Sequence, residues 1–406
     1  MRKDVCFVCV GQCAGNIGSL LEKKGYSVLF INTAESDLAL LQKAKHVFKV
    51  PGERGCNQDP EKAQGVFAQH YKAIMDKIHS FARERIVYFV SSASGGTSGM
   101  TPLMIDSYLE VLEQEENDAW AKYDADYDSG NTTAKAPEKR KAGFITVLPA
   151  LDESIVLNAN AYNYMRQISE TIDRELGRQN SNLANGFLID NENCKDFLKL
   201  NQDFVDLFDS FMKIPEKHKS VRGNIDAADL EDAVTTIGIT VFSEVSSHDF
   251  SESSLVNAVK SSKVFAQTES DNGRFWLSST TDELDSSALE IELGTPITYF
   301  KTYNDYTNLF AISGLGIPAE RINLMADRAE EYRVKEVKRN SDVFKRGINV
   351  RQIPKVAPPR ALRDAQHSES DKRVVTPSGL ADRTSQNGAE PSVQDKLNML
   401  RRRRAR

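Results

Sequence analysis

Apolar and polar positions alternate on two periods along the first two hundred residues. Residues 5–10 are apolar and β-branched, 15–24 carry helical spacing, and 26–31 are apolar again, which reads as a βαβ unit. A helical stretch over 61–81 and apolar runs at 85–91, 143–149 and 185–189 extend the rhythm. Strands that alternate with helices predict an α/β fold, a Rossmann-like parallel sheet covered on both faces. Over 113–141 the pattern fails: the segment is polar, acidic first and basic last, with Gly and Pro near its end. It is expected to be a solvated excursion from the sheet.

Further on, Phe204, Leu207, Phe208 and Phe211 put one apolar stripe on a helix over 201–213 that Pro215 ends or bends. A helix over 226–234 and strands at 237–245, 274–279, 289–293 and 310–312 then suggest a smaller α+β domain. Pro318 opens a long polar helix to about residue 340, with a thin stripe of Ile322, Met325, Ala329 and Tyr332. So narrow a stripe buries little against its own domain. Past about residue 350 the chain turns rich in Pro, Ser and charge with almost no aromatic residues, the composition of a disordered tail.

Charge changes this picture only when it is divided. The 406 residues carry 52 Lys+Arg against 58 Asp+Glu, net −6, which is no whole-chain argument for nucleic-acid or membrane binding. Residues 351–406 hold 13 Lys+Arg and 6 Asp+Glu, net +7, so the body carries −13. The excess is concentrated at Arg401 to Arg404 and Arg406. Five scattered cysteines, Cys6, Cys9, Cys13, Cys56 and Cys194, favour neither a disulfide framework nor a zinc site and suit a reducing cytoplasm. No apolar run is long enough for a membrane span or a signal-peptide core.

Candidate chemistry lies in two loops. The first strand runs through Gly11-Gln12-Cys13-Ala14-Gly15-Asn16-Ile17-Gly18 directly into a helix, an arrangement in which free backbone N–H groups and the helix dipole hold phosphate. The strand over 85–91 leads into a run of small and hydroxyl residues, Ser91 to Pro102, ahead of another helix. Two such loops on one sheet edge make a polyphosphate cradle. It is not a P-loop, because GxxxxGK[ST] is absent and neither loop holds a lysine. A dinucleotide-dependent enzyme would show GxGxxG and an acidic ribose reader ending the second strand, whereas that strand ends in Ile31-Asn32-Thr33.

The motifs together resemble the tubulin/FtsZ superfamily. GQCAGNIG is similar to its first nucleotide loop and LFINTAESDL to its second; SGGTSGM resembles its GGGTG[ST]G phosphate loop, with Ser94 replacing a glycine and one residue short after Thr97. FLIDNENC over 187–194 is similar to tubulin's IDNEA stretch, and RGNIDAADL over 222–230 matches the NxDxxD pattern of the catalytic loop. INTAESDLALLQKAKHVFKVP, ERGCNQDPEKAQG, GFITVLPA, the short step from Asn191 to Asn201, the helix after Pro318 and the basic tail resemble the TubZ branch, carried by plasmids and phages. The resemblance covers roughly residues 1–340.

The resemblance implies a filament-forming GTPase that binds GTP or GDP with Mg²⁺ and moves plasmid or phage DNA. It implies a GTP-binding domain over 1–200, a central helix and connection over 201–223, an activation domain over 224–316, a C-terminal helix over 317–345 and a basic tail over 346–406. By the same resemblance Gly11, Gln12, Cys13, Gly15, Asn16 and Asn32 meet the nucleotide. Gly95, Gly96, Thr97 and Ser98 wrap the β and γ groups, and Gly55 and Asn57 belong to the loop that senses the γ-phosphate. Asn191 reads the guanine edge, Phe197 stacks on the base four residues ahead of a second polar reader, Asn201, and Glu153 meets the ribose. Asn224, Asp226 and Asp229 act on the nucleotide of the next subunit, although by spacing alone the same aspartates also suit an ordinary helix N-cap.

For the tail, a solvated charge run and a partner-binding segment are both open. The TubZ-like reading gives it a DNA-bound adaptor through Arg401–Arg406, with no direct sequence-specific nucleic-acid contact and no membrane. A non-polymerising nucleotide-binding adaptor and an FtsZ-like division protein are the alternatives.

Overall fold

The structure, a computed structural model, describes residues 1–41, 43–131, 133–268 and 273–345. The tail beyond residue 345, with Arg401–Arg406, lies outside the described residues.

A parallel set of strands carries the first half of the chain: β1 (Val5–Val10), β2 (Ser27–Asn32), β3 (His46–Lys49), β4 (Ile86–Ser92), β5 (Lys141–Leu148) and β6 (Leu183–Asp190). Between them run α1 (Gln12–Lys24), α2 (Glu35–Ala39), α3 (Pro60–Phe81), α4 (Thr101–Asp128) and α5 (Ile155–Leu176). Apart from the edge strand β3, the strands are buried on both faces, the reason they read as continuous apolar runs. After β6 come α6 (Phe197–Met212), α7 (Ile214–Lys217), the short hairpin β7 (Lys219–Ser220) and β8 (Gly223–Asn224), and α8 (Ala227–Thr235). The chain continues through β9 (Ile239–Val245), α9 (Glu252–Lys260), β10 (Phe275–Thr280), α10 (Ser286–Leu293), β11 (Thr298–Tyr303), β12 (Asn308–Leu315) and α11 (Ala319–Lys345).

One sheet holds ten of these strands in the order β11-β10-β12-β9-β6-β5-β4-β1-β2-β3. Its two halves join through a single parallel register pair, Gly186 with Ile239, and β12 lies antiparallel between β9 and β10. Met1–Tyr332 form one compact unit, and a second begins at Arg333.

Two sequence expectations are corrected. Residues 289–293 belong to α10 rather than to a strand: Asp285 accepts from the Ser287 N–H and starts a helix, whose apolar residues Leu289 and Leu293 face the core at helical spacing. The segment over 113–141 leaves the sheet pattern, but its first part is the continuation of α4 to Asp128. A polar helix that leaves the core has no apolar stripe by which to be recognised.

α6 is the central packing element. Asp196 caps it by accepting from the Lys199 N–H. Its buried face puts Phe204, Phe208 and Phe211 among Phe7, Tyr88, Phe187 and Phe242, with Phe211 stacked on Phe242 at 4.0 Å between centroids. Truncating a buried ring such as Phe208 to Ala costs about 3–5 kcal/mol. At its far end the buried Asp209 accepts from the Tyr26 hydroxyl at 3.1 Å and pairs with Arg2 and Lys213, tying α6 to the chain start.

Candidate functional site

The cavity that takes in the two glycine-bearing loops is built by the carboxyl ends of β1, β2 and β4. Gly11 takes φ +87°, which favours glycine, and turns the chain from β1 into α1. It offers no side-chain cap, and the first turn of α1 holds no acidic residue. The first intrahelical bond to Gly11 O comes from Gly15 N, so the N–H groups of Gln12, Cys13 and Ala14 start the helix as unpaired donors at the positive end of its dipole. That cradle suits an anion.

Around it lies a cavity of about 360 Å³ lined by Gly11, Gln12 and Cys13, by Arg54 to Gln58, and by Ser92 and Gly95 to Ser98. Its size is in the range of small-ligand sites. The Ser94–Thr97 turn is pinned from outside: Asn160 on α5 donates to Gln58 O at 2.8 Å and to Ser94 O at 3.2 Å. Gly96 sits so close to the facing loop that a Cβ there would fall 2.6 Å from Gln58 N. The Ser98 hydroxyl is buried with no hydrogen-bond partner among the described residues, a free donor in the cavity lining. Free helix N–H groups, an Arg54 guanidinium, glycine clearance and an orphan hydroxyl fit a polyphosphate. Among the lining residues Asp37 is the single carboxylate, so a divalent cation here would be held chiefly by phosphate oxygens.

Thr97 is fixed by Thr33, hydroxyl to hydroxyl at 2.6 Å, and donates to Asn32 Oδ1 at 3.3 Å. Asn32 is buried and also caps Ala34 N, so it positions the loop from behind and does not line the cavity. Gly15 and Asn16 are outside the lining as well: Gly15 packs under Leu41, and Asn16 is exposed on α1. Burial, reinforced by the charge of Glu153, pushes the Cys13 thiol up to about 12, so it stays neutral beside the cradle.

At the carboxyl ends of β5 and β6 the remaining expected residues form a second cluster. Glu153 accepts from Ala150 N at 2.8 Å and from Asn191 Nδ2 at 3.2 Å, and Glu192 accepts from Leu151 N at 2.7 Å. Asn201 is buried on α6 one turn from the half-exposed Phe197. Glu153, Asn191, Phe197 and Asn201 lie outside the lining of the cavity around Gly11–Cys13. Beneath this cluster Arg321, from the first turn of α11, donates to both carboxylate oxygens of Asp190 and to Pro149 O.

The aspartates of the NxDxxD pattern are elsewhere. Asp226 caps α8, accepting from Ala228 N and Asp229 N at 2.8 and 3.0 Å, while Asp229 accepts from Asp226 N at 3.0 Å, a complete capping box. The N-cap expected from spacing is therefore real, and it leaves Asn224 and Asp226 exposed and Asp229 half-buried. α8 lies along the amino ends of the parallel strands: Arg85, just ahead of β4, pairs with Glu231 at 2.8 Å, and Lys141, which starts β5, donates to Thr235 O at 3.2 Å. A seven-residue strand such as β4 rises roughly 23 Å, so these carboxylates stand on the opposite edge of the sheet from the cradle.

Sequence reading singled out none of Thr33, Asp37, Gln58, Asn160 and Arg321, and took in Ser92 only as part of the small-residue loop. Arg54 was visible as a cation between two glycines in GERGCN. Asn160 and Arg321 carry no local signal, because their partners are distant in the chain.

A parallel sheet with a glycine-turned helix N-terminus, a small-residue loop after the fourth strand and a long central helix leading to NxDxxD defines a protein of the tubulin/FtsZ fold. No protein-family model matches the chain. Tubulin-like protein TubZ of Clostridium botulinum C phage is 28% identical over 384 residues, 93% of each chain. The crystal structure of Clostridium botulinum phage c-st TubZ superposes with a TM-score of 0.68 at 26% identity, covering 82% of this chain and 100% of that one. A GTPγS-form protofilament of Bacillus thuringiensis serovar israelensis TubZ gives 0.66 at 14% identity, covering 84% and 94%, a likeness of fold. The chain is thus TubZ-like over nearly its whole length and has the tubulin/FtsZ fold. Among the described residues no helix is long and apolar enough to cross a membrane.

Proposed function

We propose that the chain is a GTPase that assembles head to tail and completes its active centre between subunits. The observation that carries this reading is the separation within one chain of the anion cradle at Gly11–Cys13 and Gly95–Ser98 from the exposed Asn224 and Asp226 and the half-buried Asp229 on the opposite sheet edge. A single subunit cannot bring those carboxylates to its own nucleotide, but a second subunit stacked on the cradle presents them to it. The relatives in GTPγS-form and GDP-form protofilaments support guanine nucleotide and self-assembly.

In this reading the unpaired N–H groups of α1 and the 95–98 turn hold the triphosphate with its Mg²⁺, and Gly55 and Asn57 lie toward the γ-phosphate. Asn191 reads guanine, Phe197 and Asn201 face the base, and Glu153 turns from Asn191 to the ribose. Asp226 and Asp229 of the next subunit polarise the attacking water while Asn224 orients it. Hydrolysis then weakens the contact and times filament life. In the cytoplasm the filament would move plasmid or phage DNA through a DNA-bound adaptor gripped by Arg401–Arg406.

GTP turnover per subunit should rise with protein concentration, and the protein should sediment with GTP but not with GDP. A turnover per subunit that is flat from nanomolar to micromolar protein would refute catalysis in trans. Deleting residues 396–406 should leave sedimentation intact and abolish recruitment to adaptor-bound DNA.

A further inference from the structure

α4 continues for four turns past Leu112, its last buried residue. On that extension Trp120, Tyr123 and Tyr127 share one stripe and form a ladder: Trp120 meets Tyr123 edge-on at 5.5 Å and Tyr123 stacks on Tyr127 at 6.3 Å. Trp120 is 41% exposed and Tyr127 60%. Contiguous exposed aromatic surface of this kind marks interaction sites.

The charge around the ladder is unbalanced. Glu113, Glu115 and Glu116 nearer the body are engaged by Arg178, Arg140 and Lys139. Beyond them Asp118, Asp124, Asp126 and Asp128 stand against Lys122 alone, net −3, and none of the four pairs with a cation among the described residues. At 100° per residue Asp124 and Asp126 flank the ladder itself, about 40° from Trp120 and about 60° from Tyr123 on its two sides. Carboxylates near a helix C-terminus face the negative end of the dipole, and the last turn holds no basic residue to offset them. The end of α4 therefore calls for a ligand both apolar and cationic.

The chain supplies one segment of that chemistry. Residues 396–406 set Leu397, Met399 and Leu400 beside Lys396, Arg401 to Arg404 and Arg406, net +6 with no acid. About 50 residues separate Lys345 from Lys396, an r.m.s. random-coil reach of roughly 40 Å. Arginine stacks on aromatic faces and forks onto carboxylates, which the ladder and its flanking aspartates both offer. We propose that residues 396–406 dock on the Trp120–Tyr123–Tyr127 face of α4 in the same chain. This interaction is independent of GTP hydrolysis and would shield the arginines until a stronger polyanion claims them.

The chain contains two tryptophans, and Trp276 is fully buried, so Trp120 reports on this face. Acrylamide quenching is to be measured at submicromolar protein without nucleotide in about 50 mM salt, where exposed charges are weakly screened, with a Trp120→Phe chain giving the Trp276 background. A chain ending at Asp395 should quench about twofold more steeply than the full chain, and a synthetic peptide of residues 396–406 should restore protection. Replacing Arg401 to Arg404 with Glu in the full chain should mimic the deletion. Equal quenching of full and shortened chains would overturn the proposal, as would protection that disappears on tenfold dilution, which would mean a second copy supplies the segment.

Discussion

Arg321 and Asp190 form a buried ion pair between residues 131 positions apart, Nε to Oδ2 at 2.7 Å and Nη2 to Oδ1 at 2.9 Å. Asp190 ends β6 directly before Asn191, and its carboxylate also accepts from Glu192 N, shaping the turn that carries Asn191. The same guanidinium holds Pro149 O at the start of the loop bearing Glu153. One side chain of α11 thus braces both loops of the second cluster.

Removing one member of a buried pair leaves the other charge uncompensated, at about 3–5 kcal/mol. Arg321→Met should lower stability by that order in urea unfolding, while the double change with Asp190→Asn should recover part of the loss. Guanine nucleotide affinity should fall in the single variant in a background still folded by circular dichroism. Additive losses in the double variant would contradict a direct pair.

Gly96→Ala should leave the sheet intact and weaken nucleotide binding at least tenfold, about 1.4 kcal/mol. The added methyl would meet the backbone of Gln58 at 2.6 Å, so one of two loops lining the cavity must retreat. Gly130→Ala tests the specificity of this effect, since nothing lies within 4 Å of its Cβ, although its φ of +91° adds backbone strain there. Titration with a fluorescent GTP analogue measures all three proteins.

Asp226 is a helix cap and, in the proposed mechanism, also a catalytic carboxylate, and substitutions can separate the two roles. Asp226→Ala loses cap and carboxylate together and should cost about 1 kcal/mol of stability. Asp226→Ser keeps an oxygen for Ala228 N and Asp229 N, so its unfolding should match the parent. Both should bind GTP and sediment while turning it over at least a hundredfold more slowly. Parent-like turnover in Asp226→Ser would show that the aspartate is only a cap.

His218, where the chain enters the β7–β8 hairpin, is buried with Nδ1 against the Ser279 hydroxyl at 2.5 Å. Burial, helped by the neighbouring Lys217, lowers its pKa from 6.5 to about 4. A depressed histidine favours the folded state fully above 6.5, and that contribution drains away as pH falls toward 4 because the unfolded chain takes up the proton first. Stability should therefore drop by up to about 3 kcal/mol across that window. His218→Gln should flatten this part of the pH profile in chemical unfolding.

Much of this molecule is legible along the chain because its causes are local. The doubly buried strands announce themselves as apolar runs, Gly11 is required where β1 turns into α1, and the stripe of Phe204, Phe208 and Phe211 is the packed face of α6. Where the period is weak the pattern misleads: α10 is too short to separate from a strand, and α4 beyond Leu112 has no core to face.

By itself, then, the sequence determined the alternation of strands and helices in the first half, the two glycine-bearing loops and the likeness to TubZ, since each depends on residues within a few positions of one another. The tertiary structure alone decided that Thr33 and Asn32 hold Thr97, that Asn160 pins the Ser94–Thr97 turn, that Arg321 braces the end of β6, and that Asp226 faces away from the cradle. Those relationships join residues that only sheet register and helix packing bring together, and nothing in the spacing along a chain encodes the distance between its two edges.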